Sequence, residues 1–362
     1  MAAYANKIDR FLKLMNDRGA SDLHLSVGRP PMFRASGQMD PIRYRVLDNR
    51  DFVDLMKPIA GPKQWKKFRD RGDADFSYEV PGIARFRVNM FMQERGYGAV
   101  FRIIPTKLMS FAQLGLPKAV EKFCHMRNGL ILVTGPTGSG KSTTLSSIID
   151  KMNTEQKLHI ITIEDPIEFV HPNKASIISQ REVGAHATGF ASAVMAAVRE
   201  DPDVILIGEM RDLETIRTAL NAAESGFTVF GTLHTNNAAK AVDRIINVFP
   251  QEEQESVRGG LAESLKGVVA QQLLRRKAGG RVAALEILFG TSGLSSMIRD
   301  GKTTMITSSI QMGKKMGMRA MDDSLWELLD QDIITPEAAY EKAVDKSGFR
   351  DRLASMGITV EG

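Results

Sequence analysis

Nine consecutive residues in the middle of the chain have the types and spacing that hold phosphate groups. They read Gly135-Pro136-Thr137-Gly138-Ser139-Gly140-Lys141-Ser142-Thr143 and fit the pattern G-x-x-x-x-G-K-[ST]. In such a loop the glycines let backbone N–H groups curl around the phosphates. Lys141 then reaches the β- and γ-phosphates, and the Ser142 hydroxyl binds Mg²⁺. The segment predicts a nucleotide-binding loop, although alone it does not separate an NTPase motor from a small kinase or a DNA translocase.

Acidic residues follow two other apolar segments of the sequence. Glu164 and Asp165 come directly after His159–Ile163, and Glu209 follows Val204–Ile207 with Gly208 between them. Because ligands of an open α/β sheet lie at the carboxyl ends of its strands, we expect these acids to face the nucleotide. Glu209 is the expected base that orients or deprotonates the attacking water. Gly208 stands where an Asp is usual, so Glu164 and Asp165 are expected to supply the missing carboxylate.

A histidine at the end of a further strand-like segment is the third candidate. Thr228–Thr232 is apolar and β-branched, and His234 follows it in Leu233-His234-Thr235-Asn236. An imidazole at a strand end can donate a hydrogen bond to the γ-phosphate. His234 is therefore expected to report whether that phosphate is present.

The elements that must position these residues alternate between strands and helices. The segment ending at Thr134 and those just described predict strands, as does Val282–Leu288, and Ser142–Asn153 predicts one of the helices between them. Such alternation predicts an α/β fold with a parallel sheet covered on both faces. After Phe289 the pattern is helical to the end.

The first part of the chain has a different pattern. A helix near residue 10, a strand at Asp22–Ser26, a second helix around Phe52–Ile59, a hairpin and a third strand ending at Ile104 predict a small α+β domain with its own core. The predicted organisation is a domain at 1–104, a linker at 105–117, a nucleotide-binding core at 118–289 and a helical region at 290–362.

Composition and charge exclude several classes of protein. A single cysteine, Cys124, rules out a disulfide framework and a multi-cysteine zinc site within one chain, and no apolar run is long enough to span a membrane. The first residues do not resemble a secretory signal, so we expect a cytoplasmic protein. Residues 1–118 hold 21 Lys+Arg and 12 Asp+Glu, a net charge of +9 within a total of +5. Without a dense basic helix or an aromatic RNA-binding motif, nucleic acid is not the expected partner.

Together these motifs resemble the type IV pilus retraction ATPases of the PilT family, within the type II and type IV secretion ATPases. The resemblance covers nearly the full length. It lies in Gly19–Leu25, the phosphate loop, Ile163–Glu168, Arg199–Asp212 and Gly231–Asn236.

The resemblance implies a homohexameric ring of ATP-hydrolysing subunits. Each subunit would have a PAS-like N-terminal domain and a RecA-like motor domain, with Mg²⁺ and ATP bound where the first closes over the second. The ring would dock on an inner-membrane platform protein from the cytoplasmic side. The N-terminal arginines Arg85, Arg87, Arg95 and Arg102 are then candidates for contacting the γ-phosphate.

Two departures from the family pattern leave alternatives open. Phe227 stands where the family has a second histidine, and Ser295 and Ser296 replace the Arg and Asn of a C-terminal motif that reads A-I-R-N-L-I-R-E. The chain could thus be an accessory retraction paralogue. A pilus-assembly or type II secretion ATPase usually carries a four-cysteine zinc module, which this chain lacks. The alternatives of a different class are a nucleic-acid translocase and a nucleotide-binding module without turnover.

Overall fold

The computed structural model describes residues 5–35, 38–104 and 108–360. The chain divides into two compact units. The first comprises Met1–Lys107 with Glu168–Val170, and the second comprises Leu108–Ile167 with His171–Gly362. Residues 105–107 of the predicted linker lie outside the described residues, and its later part contains a short helix.

The first unit is built on a six-stranded antiparallel sheet with the order β3-β2-β1-β6-β5-β4. Its strands are β1 Asp22–Ser26, β2 Met32–Ala35, β3 Gln38–Pro41, β4 Asp73–Val80, β5 Ala84–Gln93 and β6 Gly96–Ile104. Three helices accompany them: α1 Ile8–Asp17, α2 Asn49–Met56 and α3 Pro62–Arg71. The sequence analysis missed β2, β3 and α3.

Local sequence explains the limits of these helices. Asp48 accepts a hydrogen bond from the backbone N–H of Asp51 at 2.8 Å and so caps the start of α2. Helix α3 begins with Pro62 and ends at Gly72, whose φ of 82° suits glycine. The helices contribute apolar side chains such as Phe52 and Phe68 to a core with Phe86 and Phe101 of the sheet.

The second unit contains a seven-stranded sheet with the order β13-β12-β7-β11-β10-β8-β9. Its strands are β7 Gly129–Thr134, β8 His159–Glu164, β9 Ile177–Glu182, β10 Val204–Ile207, β11 Thr228–Leu233, β12 Leu265–Arg275 and β13 Arg281–Phe289. All neighbouring pairs are parallel except β12 and β13. The expected parallel arrangement holds for every neighbouring pair except the last, because the chain returns directly from β12 to β13 as an antiparallel hairpin.

Helices surround this sheet and continue to the C-terminus. They are α4 Phe111–Leu114, α5 Lys118–Glu121, α6 Lys141–Glu155, α7 Phe190–Ala197, α8 Leu213–Glu224, α9 Ala238–Asn247, α10 Gln254–Ser264, α11 Ser292–Arg299, α12 Ile306–Met312, α13 Met321–Asp330, α14 Pro336–Lys342 and α15 Lys346–Ser355. Helices α13 to α15 form a small core together with Leu274 of β12 and Ala284 of β13, and in it Trp326 and Phe349 are stacked with ring centroids 4.2 Å apart. Within the described ranges, no helix is long and apolar enough to cross a membrane.

Two strands of the second unit were absent from the sequence analysis, β9 and β12. Strand β9 lies at the edge of the sheet and is largely polar, so it lacks the apolar signature of a buried strand. Strand β12 follows α10 without an intervening turn, so no breaker residue marks its start. Both strands carry polar side chains that contact the candidate site.

Candidate active site

The phosphate-binding loop lies between β7 and α6. Gly135, Gly138 and Gly140 have φ values of 149°, 78° and 89°, in the region that favours glycine. A Cβ atom at Gly135 would lie 2.3 Å from the carbonyl oxygen of Gln271. All three glycines are therefore required by backbone conformation, and Gly135 and Gly140 are also closely packed against Gln271. This shape leaves the first turn of α6 facing the loop, where a helix N-terminus favours an anion.

Lys141 is folded back over this loop. Its side chain is only 9% exposed, and its ammonium donates hydrogen bonds to the carbonyl oxygens of Gly135 at 2.8 Å and Pro136 at 3.1 Å. Ser142 and Thr143 follow in the first turn of α6 and are half-buried. The lysine ammonium is thus held at the loop by these carbonyl groups.

Gln271 of β12 holds the phosphate-binding loop by hydrogen bonds, and the sequence analysis did not identify it. Its Nε2 donates to the carbonyl oxygen of Ser139 at 2.7 Å, and its Oε1 accepts from the Thr144 hydroxyl at 2.7 Å. Gln271 is 2% exposed. One amide therefore joins the loop to the first turn of α6. Two polar residues inside the otherwise apolar run of residues 268–274, Gln271 and Gln272, were the available signal.

Glu209 and His234 are brought into direct contact at the carboxyl edge of the sheet. The imidazole Nε2 of His234 lies 2.7 Å from Oε1 of Glu209. Arg211, which sequence reasoning also missed, donates from Nε to the same oxygen. Burial acts to raise the pKa of Glu209, but the hydrogen bond and charge of Arg211 and the charge of His234 outweigh it and lower that pKa. Glu209 is therefore an ionised carboxylate at neutral pH.

The glycine that precedes Glu209 is explained by its neighbours. Gly208 donates from its N–H to the carbonyl oxygen of Ile163 at 2.8 Å, and its carbonyl accepts from the Thr232 hydroxyl at 2.5 Å. A Cβ atom here would lie 3.1 Å from that Ile163 oxygen and 3.6 Å from Cγ of Glu164. The side chain of Glu164 thus lies beside the position where an Asp is usual.

Strand β9 organises the segment that carries Glu164 and Asp165. Oε1 of Glu164 accepts from the Thr162 hydroxyl at 2.6 Å and from Nε2 of Gln180 at 3.2 Å. The buried Glu182 accepts from the N–H of Ile167 at 3.2 Å. Asp165 precedes a cis peptide bond to Pro166. The pKa of Arg211 is raised chiefly by its hydrogen bond to Glu209, and the negative charge of Asp165 adds to that effect. Asp165 therefore acts electrostatically on the group that also contacts Glu209.

The four arginines lie in the first unit, on the strands and turn expected. Arg85 and Arg87 are on β5, Arg102 is on β6 beside Arg87, and Arg95 is in the turn between the two strands. Arg102 donates from Nε to the buried Asp22 at 2.8 Å, and Arg85 donates to the Ser77 hydroxyl at 2.8 Å. For Arg87 and Arg95, no hydrogen bond or ion pair occurs among the described residues, and both side chains are exposed.

The oxygen atoms at the sheet edge suit Mg²⁺. A serine hydroxyl and carboxylates are hard oxygen ligands, and Mg²⁺ is commonly held by one or two of them together with substrate phosphates. In the part of the chain that the structure describes, no group of three or more His, Cys, Asp or Glu could hold a metal by itself. The donor set fits an ion that would arrive with the nucleotide and would be held by the Ser142 hydroxyl.

Phe227, which replaces the second histidine, lies at the other end of β11 from His234. Its carbonyl oxygen accepts from the N–H of Gly129 at 2.9 Å, at the start of β7. Ring packing of Phe227 against the core is consistent with a role in the fold. The two ends of β11 therefore differ, and the nucleotide end keeps its histidine.

The sequence is similar to one family of proteins and to two pilus ATPases within the curated proteins. Residues 2–324 match the family described as "Type II/IV secretion system protein". The chain is 50% identical over 342 residues to the "Type IV pilus retractation ATPase PilT" of Pseudomonas aeruginosa, covering 94% of this chain and 99% of that protein. It is 35% identical over 345 residues to the "Type IV pilus ATPase PilU" of the same species, covering 95% and 90%.

The fold is also similar to a solved structure of a pilus motor. The structure described as "Crystal Structure of the Pilus Retraction Motor PilT and Bound ADP" superposes with a TM-score of 0.89 at 45% sequence identity. The match covers 94% of this chain and 98% of that one. A relative with the same architecture therefore binds a nucleotide.

Proposed function

This chain belongs to the type II/IV secretion ATPase family as a PilT-type pilus retraction ATPase, and we propose that it hydrolyses ATP to drive pilin depolymerisation and twitching motility. The observation that carries the proposal is the position of Glu209 and His234. They touch at the carboxyl edge of the sheet that also ends in the phosphate-binding loop. An ionised carboxylate there can orient and deprotonate a water that attacks the γ-phosphate.

The other residues at this edge have complementary roles in the proposal. The loop Gly135–Thr143 binds the phosphates, with Lys141 neutralising charge on the β- and γ-phosphates. Glu164 and Asp165 polarise the attacking water or the metal's water shell. His234 donates a hydrogen bond to the γ-phosphate, and since it also contacts Glu209, loss of that phosphate changes its partners. Mg²⁺, held by Ser142, supplies charge neutralisation on the phosphate oxygens when bound.

We further propose the architecture that the family resemblance implied. Residues 1–104 would be the PAS-like domain, 105–117 a linker, 118–289 the RecA-like core and 290–362 the helical region. Six copies would form a ring that docks on a membrane platform protein at the cytoplasmic side of the inner membrane. No nucleic acid is required.

The four arginines differ in whether they already have hydrogen-bond partners within the first unit, and this difference indicates which of them bind the γ-phosphate. Arg85 and Arg102 already have partners on their own sheet, whereas the exposed Arg87 and Arg95 show none among the described residues. A guanidinium without a local partner loses less on binding a phosphate. Arg87 and Arg95 are therefore the proposed ligands.

The test is a count of surface pili and a twitching assay in the native host with the chromosomal copy changed to Lys141→Ala. Loss of the lysine removes a charge that binds phosphate, so we expect abundant pili and no twitching. Lys157→Ala is the matched control, because Lys157 is exposed and follows the same helix. Bald cells would contradict the proposal and indicate an assembly motor.

A second candidate, an accessory retraction paralogue, is favoured by Ser295. Ser295 stands at the position where the family motif has an arginine, and its hydroxyl donates to the carbonyl oxygen of Ala262 on α10 at 2.6 Å. Unchanged pili and normal twitching in the Lys141→Ala strain would support this candidate. Restoring Arg and Asn at positions 295 and 296 then tests whether the motif limits retraction.

A further inference from the structure

A side-chain amide on the edge strand of the second sheet contacts a carboxylate that the proposed chemistry uses. Strands β8 and β9 are parallel neighbours, and Gln180 lies beside Thr162 in their register. Residues two apart in a strand share a face, so Glu164 lies on the same face as Thr162. Oε1 of Glu164 accepts from the Thr162 hydroxyl at 2.6 Å and from Nε2 of Gln180 at 3.2 Å. This carboxylate is thus bound by donors from two strands.

The second contact of the Gln180 amide fixes which of its atoms faces Glu164. Oε1 of Gln180 accepts from the backbone N–H of His171 at 2.8 Å. A backbone N–H can only donate, so the amide oxygen must lie on that side and the NH₂ group must face the carboxylate. Gln180 therefore orients Glu164 without bringing the positive charge that a lysine or arginine would bring.

The loop that joins β8 to β9, residues 165–176, has other attachments that do not involve Gln180. Asn153 of α6 makes hydrogen bonds of 2.7 and 3.1 Å to two backbone groups of this loop. Oδ1 of Asn173, within the loop, accepts from the N–H of Ile178 on β9 at 2.8 Å. A change at Gln180 therefore leaves these attachments of the loop in place, while it removes a donor from the carboxylate.

The location of Glu164 makes this contact relevant to the reaction. A Cβ atom at Gly208, where an Asp is usual, would lie 3.6 Å from Cγ of Glu164. The next residue is Glu209, the proposed base. A group that acts on an attacking water must be held in place closely, because a displacement of about 1 Å can slow a reaction about 100-fold. The orientation of Glu164 is therefore expected to matter for turnover.

We propose that Gln180 is a positioning residue that holds Glu164 in the place of the carboxylate missing at Gly208, where Glu164 acts on the water that attacks the γ-phosphate. The inference rests on the proposed ATPase function and assigns the edge strand β9 a part in it. A role confined to anchoring the loop would instead appear equally in any variant that loosens the loop.

Three single variants separate these two roles. Gln180→Glu keeps an acceptor for the N–H of His171 but replaces the donor with a negative charge that faces Glu164. Gln180→Leu removes both hydrogen bonds at a similar side-chain volume. Asn173→Ala is the matched control, because it loosens the same loop from β9 without touching Glu164.

The measurement is steady-state ATP hydrolysis by the full-length protein with Mg²⁺, together with nucleotide affinity from displacement of a fluorescent ADP. We expect kcat to fall about tenfold in Gln180→Glu and Gln180→Leu, because Glu164 is no longer oriented. KM for ATP and nucleotide affinity should stay within about threefold of the parent. Asn173→Ala should keep kcat within about twofold.

A double-mutant cycle tests whether Gln180 acts through Glu164. Glu164→Gln alone should lower kcat, and adding Gln180→Leu to it should cause no further loss, because the group that Gln180 positions is already gone. Thermal melting of each variant identifies losses that come from unfolding.

The inference is overturned by parental kcat in folded Gln180→Glu, by an equal loss in Asn173→Ala, or by the same loss from Gln180→Leu in both backgrounds. Parental kcat in Glu164→Gln would overturn it as well. Absence of ATP hydrolysis by the parent would overturn the proposed function and the inference with it, so the two failures are distinguishable.

Discussion

The two sheets of this protein present their polar groups in different ways. In the second unit, strands β7, β11, β10 and β8 run parallel and are buried on both faces, so their polar groups gather where the strands end. In the first unit, the strands run antiparallel, and one face packs on helices while Arg85, Arg87 and Arg102 lie on the other.

The difference teaches where function can be found in each unit. Parallel strands end at one edge, so residues distant in sequence, such as Glu209 and His234, meet there. Successive antiparallel strands end at opposite edges of the sheet, so their end residues do not gather at one place. Polar side chains of such a sheet can therefore contact a ligand only from its face or from a turn. In the first unit they partly neutralise one another, as Arg102 and Asp22 do. We therefore expect large catalytic effects from the second sheet's edge and smaller effects from the first sheet's face.

The largest effect is expected for Glu209→Ala. Removing the proposed base should lower kcat for ATP hydrolysis by about 100- to 10,000-fold while ATP still binds. Steady-state kinetics and nucleotide binding measure the two quantities, with the exposed Glu214→Ala as the control. Hydrolysis at the parental rate would make Glu164 the candidate base. It would also contradict the expectation that Glu209, at the edge of the second sheet, has a large catalytic effect.

A smaller effect is expected for Gln271→Leu. Two hydrogen bonds that shape the phosphate-binding loop are lost, which should weaken nucleotide binding by about tenfold. Gln272→Leu is the matched control, because the next residue of the strand points away and makes only a 3.4 Å contact to the carbonyl oxygen of Lys342. Equal losses in both variants, measured by ADP titration, would show that strand β12 acts only through general stability.

A pH profile sharpens the account of the acidic cluster. The hydrogen bond and charge of Arg211 lower the pKa of Glu209, so the base form persists to more acidic pH than for an ordinary glutamate. Arg211→Ala should therefore shift the acidic limb of kcat against pH towards higher pH. The measurement is kcat across the acidic range, and an unmoved limb would exclude Glu209 as the group that titrates there.

The smallest effects are expected in the first unit. Arg102→Ala leaves the Asp22 carboxylate, 4% exposed, without its ion-pair partner, and should lower the free energy of unfolding by about 1 kcal/mol. Arg87→Ala should leave stability nearly unchanged and lower kcat instead. Urea unfolding and ATPase assays separate the two. A loss of kcat confined to Arg102→Ala would reverse our ranking of the arginines.

Contiguous motifs were the part of the site that the sequence revealed. The loop from Gly135 to Thr143 and the strand-end residues Glu164, Glu209 and His234 are short-range patterns, because a loop or strand end is encoded by adjacent residues. The helical C-terminal region and the α/β alternation followed from periodicity in the same way. Gly208 was noted as a departure, but only packing against Glu164 explains it.

Other contacts depended on which strands became neighbours. Gln271 and Glu286 lie on the β12–β13 hairpin, and Gln180 and Glu182 lie on the edge strand β9, yet each acts on a segment remote in sequence. The residues next to a single polar residue in a strand do not indicate which group it will hydrogen-bond. The sequence by itself determined the phosphate-binding loop and the types of the strand-end residues, since these depend on local conformation. Only the tertiary structure decided how the loop and the strand ends are fastened, because buried hydrogen bonds are chosen by the order of strands in the sheet.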